Sequence, residues 1–128
     1  DGHGGAACAT YASLHLAVVL SRAWPTAQGT ELEGGAEGGL DAEGGAEALR
    51  GAFMVLNDRF LRDKTADDSG ATALAAICLP GVVIVANAGD CQCWLWRGEE
   101  DMVSLNKEHI AANPEERARV EAAGGEVR

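Results

Sequence analysis

The chain opens on Asp1-Gly2-His3-Gly4-Gly5, a carboxylate and an imidazole set among three glycines. Glycine lets the backbone approach a ligand closely and take positive φ. Carboxylate and carbonyl oxygens suit hard cations such as Mg²⁺ and Mn²⁺, and an imidazole exchanges protons near neutral pH. The stretch reads as an active-site turn, with a plain Gly-rich turn as the alternative. Five residues alone do not choose between them.

The sulfur residues point to less. Cys8, Cys78, Cys91 and Cys93 lie in apolar sequence and lack the C-x-x-C spacing of a zinc site. Buried free thiols are expected. Cys91 and Cys93, two apart, would share one face of a strand, where a soft metal is conceivable but simple packing is commoner. With no signal peptide visible, free thiols suit a reducing intracellular compartment, cytoplasmic or nuclear.

The surroundings limit the partners. A formal charge of −10 and a pI near 4.6 disfavour nucleic acid and anionic membrane, which both call for a basic face. The length of 128 residues fits one domain or part of one. Residues 69–89 carry no charge until Asp90 and are long enough to raise a membrane span. Pro80-Gly81 splits the run, and Val82-Val83-Ile84-Val85 has strand composition, so no span is expected.

Elements must position these residues. Ala7, Tyr11, Leu14 and Val18 recur at helical spacing and predict one apolar stripe over roughly four turns, fed directly by the glycine turn. The positive end of that helix would face whatever the turn binds. Pro25 to about Gly45 shifts to Gly, Glu and Ala, and reads as a mobile acidic insertion unable to build a core. Leu49, Ala52, Phe53, Leu56 and Phe60 predict a second helix from about Ala46 to Arg62, with Asp58 and Arg62 paired along it. Strands are expected over Ala71 to Cys78, Val82 to Ala88 and Cys93 to Trp96, joined as antiparallel hairpins, and Met102 to Leu105 could form one more. The unbroken apolar run of the second strand implies burial on both faces. Asn113-Pro114-Glu115-Glu116 starts a last helix, ended by Gly124-Gly125 and packed on one side.

The order of the motifs then carries a resemblance. Asp1 to Gly5, two helices, Ser69-Gly70-Ala71-Thr72-Ala73, Val85-Ala86-Asn87-Ala88-Gly89-Asp90, Leu105 to His109 and Glu116 to Gly125 together resemble the metal-dependent protein serine/threonine phosphatases of type 2C. The likeness covers nearly the whole chain outside the Glu-Gly-Gly segment. It implies an α+β fold, a layered α-β-β-α sandwich of antiparallel sheets flanked by helices. Residues 1–128 would be the N-terminal portion of that domain, with a Gly/Glu-rich insertion at about 25–45.

By the same resemblance, Asp1 would bridge two Mg²⁺ or Mn²⁺ ions, Gly2 would offer its carbonyl oxygen through water, and Asp90 would serve a further, weaker cation site. His3 would be the general acid for the departing Ser or Thr oxygen, beside Asp1 in the catalytic set. Asp90 as a strand terminus and His3 as a turn residue are the plainer readings. The implied function is hydrolysis of phosphoserine and phosphothreonine in protein substrates by a metal-bound water. A noncatalytic member of the fold, serving as a binding or scaffolding module, is the alternative. A monomer is expected.

The chain also departs from the family pattern. Cys91-Gln92 stands where Ser-Arg is common, and Glu108-His109-Ile110 where Asp-His-Lys is common. The preceding strand with its phosphate-binding arginine, and the later acidic ligands, are missing from this sequence. The 128 residues alone are therefore expected to bind divalent metal weakly and to be inactive.

Overall fold

The computed structural model describes residues 2–24, 41–63, 68–98 and 101–127. In chain order the elements are β1 (Gly2–His3), α1 (Ala7–Ala23), α2 (Ala42–Arg62), β2 (Gly70–Ala71), β3 (Ala73–Leu79), β4 (Val82–Ala88), β5 (Trp94–Trp96), β6 (Met102–Ser104) and α3 (Pro114–Ala122). The strands pair antiparallel as β1 with β2, β3 with β4, and β5 with β6. The chain is α+β, as its sequence implies.

The core is a helix pair laid on one face of the β3–β4 hairpin. Ile77 and Ile84 are cross-strand partners, and both pack on Leu49 of α2, which is wholly buried. Ala75, Leu79 and Ala86 lie against the same cluster, as the two-residue period of a strand requires. Further along the same buried face α2 meets α1 through Ala52 and Leu56, which enclose Val19 with Tyr11, Leu16 and Leu20 around them. Ala48 and Ala52 keep this face of α2 shallow, so apolar side chains of its neighbours fill the interface.

α2 begins four residues earlier than expected, at Ala42. Asp41 caps it by accepting the Gly44 N–H at 2.8 Å, so Glu43, Gly44 and Gly45 belong to a helix, with Gly45 buried. Residues 41–45 of the expected acidic loop are therefore a cap and the first turn of a helix, and residues 25–40 of it lie outside the described residues. The capping carboxylate and the burial of Gly45 together offset the poor helix propensity of the two glycines. The Asp58–Arg62 pair forms, at 3.4 Å.

Other expectations change on contact with tertiary structure. Leu14 and Val18, assigned to the stripe of α1, are exposed, while Val19 is buried. α1 is apolar around most of its circumference, so the position of α2 decides which face is covered. β4 is covered on one face among the described residues, and Val83 on the other is exposed. The strand expected over Ala71 to Cys78 divides at Thr72, where the chain changes partner from β1 to β4. β5 pairs with β6 and not with β4. Cys78 is exposed, the other three thiols are half-buried, all four are free, and Cys91 and Cys93 lie outside any strand.

α3 has its Asn113 cap, accepting from Glu115 N–H at 3.0 Å. Its end is closed by Gly124 N–H to the Glu121 carbonyl and Gly125 N–H to the Val120 carbonyl. It buries none of its residues, contrary to the expected packed side. A bidentate Arg119 holds the Glu116 carboxyl below its usual range, chiefly by hydrogen bonding. No helix among the described residues is long and apolar enough to cross a membrane.

In the intact protein, Leu49→Ala should cost about 2–5 kcal/mol, because the helix–sheet contact closes on this side chain. Asp41→Ala should cost only about 1 kcal/mol, the usual loss of a cap. Urea unfolding of both variants checks the ranking, and equal costs would show that the Leu49 cluster is not the main contact.

Candidate active site

β1 carries the sequence-predicted residues Gly2 and His3, which pair across the sheet with Ala71 and Gly70. Between β1 and α1 the chain turns through Gly4 at φ 68° and Gly5 at φ 140°. A side chain is strained at either angle, so the glycine pair makes the turn possible. A Cβ on Gly4 would also stand 3.2 Å from the Asp68 carbonyl oxygen. The turn is thus pressed between its own helix and the segment leading into β2.

That segment organises the site. Ser69, which is buried, accepts the Cys8 N–H through its hydroxyl at 3.0 Å. Ala6, at the cap position of α1, has no capping side chain, so one orphan amide of the helix is satisfied by a residue 61 positions away. Next, Gly70 faces His3. Thr72 then accepts the Cys91 thiol at 3.3 Å, and its methyl group lies where a Cβ of Gly89 would stand.

Asp90 is an exposed residue in the turn beyond β4. Two asparagines hold this turn against residues 105–109. Asn87 donates to the Gly89 and Lys107 carbonyls at 2.8 and 3.1 Å. Asn106 accepts the Cys93 N–H at 2.7 Å and donates to the Cys91 and Lys107 carbonyls at 2.8 and 3.3 Å. The His109 N–H to the Gly89 carbonyl at 2.9 Å and Gln92 to Glu108 at 2.7 Å add to the latch. Sequence reading gave neither asparagine a role. An Asn inside a β-branched strand, disfavoured there unless its amide is used, was the available signal for Asn87.

The predicted residues therefore stand on either side of the 69–72 segment: Gly2 and His3 on one side, Asp90 on the other. Asp1 lies outside the described residues. Among the described residues no three His, Cys, Asp or Glu side chains converge as a cation site. They do not by themselves fit a two-cation centre, which needs more oxygen ligands than Gly2 and Asp90 can bring. A cavity of about 460 Å³ lies behind the segment, between Tyr11, Leu16, Phe53, Phe60, Thr72 and Cys91. Among the described residues no charged side chain lines it, so this lining suits apolar contact and not a phosphoryl group.

The family described as "Protein phosphatase 2C" matches residues 1–128. "Probable protein phosphatase 2C 22" of Arabidopsis thaliana is 33% identical over 99% of this chain and 29% of its own length. "Integrin-linked kinase-associated serine/threonine phosphatase 2C" of Bos taurus is 31% identical over the whole chain and 35% of its own length. "Protein phosphatase 2C 53" of Oryza sativa subsp. japonica is 34% identical over 99% of the chain and 30% of its own length. The chain spans about a third of the length of these relatives.

Replacing Asn106 with Ala removes one acceptor and two donated bonds from the latch, at a cost of about 1–3 kcal/mol. The Cys93 amide should then exchange with solvent roughly tenfold faster or more, while the Ile77 amide on β3 is unaffected. Unchanged protection at Cys93 would mean that Asn87 and His109 hold the turn without Asn106.

Proposed function

The chain belongs to the protein phosphatase 2C family, and on that footing we propose that the protein containing it hydrolyses phosphoserine and phosphothreonine in protein substrates. The observation that carries this reading is His3, exposed in β1 immediately before the Gly4-Gly5 turn. Hydrolysis places water on phosphorus and breaks the bond to the serine or threonine oxygen. That oxygen departs badly as an alkoxide, so a proton must reach it as the bond breaks. His3 is the proton donor in this reading. An imidazole is suited to the task because its ordinary titration range lies close to neutral pH.

Family membership supports a phosphatase that uses divalent cations, and Mg²⁺ or Mn²⁺ suits the oxygen donors Asp1, Gly2 and Asp90 that this chain would contribute. Such cations lower the charge on the phosphoryl group and acidify water. The described residues do not complete their coordination, so only the proton transfer is assigned, and it is assigned to His3.

His3→Gln in the intact protein should slow cleavage of a phosphoserine peptide by about 10²–10⁴-fold, the usual contribution of a placed acid. p-Nitrophenyl phosphate should be slowed far less, because its phenolate leaves unaided. Asp1→Ala should instead lower Mn²⁺ affinity in a calorimetric titration and diminish both activities together. Equal losses on the two substrates with His3→Gln would remove the proton-donor role and leave His3 a positioning function.

A further inference from the structure

We propose that Gly70 is the seat of the His3 imidazole, a positioning residue whose missing side chain fixes where the proton donor stands. The two residues are antiparallel cross-strand partners. A Cβ built on Gly70 would lie 2.4 Å from His3 Nε2, 2.5 Å from Cε1 and 3.3 Å from Cδ2. The ring thus occupies the space that any other residue at position 70 would fill. An aromatic ring folded over a cross-strand glycine is a stabilising arrangement in antiparallel pairs.

His3 needs such a seat. It is exposed, and an exposed side chain in water samples several rotamers unless a neighbour selects one. The surface beneath it is fixed from both directions along the chain. Ser69 is tied to the first turn of α1 through the Cys8 N–H, Ala71 pairs with Gly2, and Thr72 is bonded to Cys91. Gly70 is therefore held in place, and the ring that rests on it has a fixed surface beneath it.

The backbone explains why position 70 has to be glycine for the ring and not for the fold. Gly70 is not among the residues with positive φ, so an alanine is compatible with its conformation. The obstruction to a Cβ is the far end of an exposed side chain, which can swing away at little cost. Gly89 differs, since its φ is 99° and a Cβ there would strike Thr72. Gly70→Ala should accordingly leave the fold intact and displace the imidazole, separating positioning from stability.

The consequence for catalysis rests on His3 being the proton donor, so the test reads ring position and activity separately. In the intact protein, Gly70→Ala should keep the urea midpoint of the parent or raise it slightly. Its His3 ring resonance, assigned by its loss in His3→Gln, should shift. Cleavage of a phosphoserine peptide should fall by about 10–100-fold, the scale expected of an ångström of misplacement, and p-nitrophenyl phosphate should suffer less. The double variant should be no slower than His3→Gln alone, because Gly70 acts through that ring. An unshifted ring resonance overturns the seating whatever the activities do. A shifted resonance with parental activity toward the peptide overturns the catalytic consequence. So do losses that add in full in the double variant. Failure of the proton-donor reading is seen elsewhere, as equal losses on both substrates in His3→Gln, and leaves the ring measurement standing.

Discussion

The bond from the Cys8 amide to the Ser69 hydroxyl is the constraint on which the rest of the site depends. It closes 61 positions of chain between the first turn of α1 and the entry to β2. Closure of that length is entropically costly in isolation. The cost is offset by the apolar contact of α1 with α2 and of α2 with the β3–β4 hairpin. Once those layers are packed, the start of α1 and the start of β2 are already neighbours, and the hydroxyl satisfies an amide that Ala6 leaves uncapped. The core thus creates the proximity, and the hydrogen bond converts it into a register. Four consecutive residues then serve three neighbours: Ser69 holds α1, Gly70 and Ala71 hold β1, and Thr72 meets the turn beyond β4.

This division of labour explains which features were legible in the sequence. Local chemistry was readable because its causes are local. The Asn113 cap, the glycine stop of α3, the Pro80-Gly81 turn, the span of β4 and the Asp58–Arg62 pair all stand where residue types and spacing put them. The buried face of α2 was also readable, since Leu49, Ala52, Leu56 and Phe60 contrast with charged residues on the opposite side. The face of α1 was not, because Leu14, Val18 and Val19 are equally apolar and only a neighbour can distinguish them. Two-sided burial of β4 was inferred from composition, which reports a strand's compatibility with cover and not the presence of cover.

Of the candidate site, the turn and its family resemblance were legible, and its support was not. His3 is a residue type that draws notice, whereas Ser69 and Gly70 are among the least conspicuous. Their significance lies in what they touch: an amide that needs an acceptor, and a ring that needs an open Cα. Asn87 and Asn106 are similar, for each spends its amide on backbone groups of a distant segment. Pairings of this kind follow from tertiary proximity, and no periodicity encodes them.

Charge placement completes the physical picture. The chain carries a formal charge of −10, an unpromising background for a dianionic phosphoryl group if long-range attraction were to guide it. Acidic residues are nonetheless unevenly distributed among the helix starts. α2 has Glu43 in its first turn and α3 has Glu115 and Glu116, where carboxylates offset the positive end of a helix. α1 has none. The helix that emerges from the Gly4-Gly5 turn therefore keeps its partial positive charge uncompensated by carboxylates of its own first turn. The effect falls off within about one helical turn and is screened by salt. Its influence is thus confined to groups seated at the turn itself.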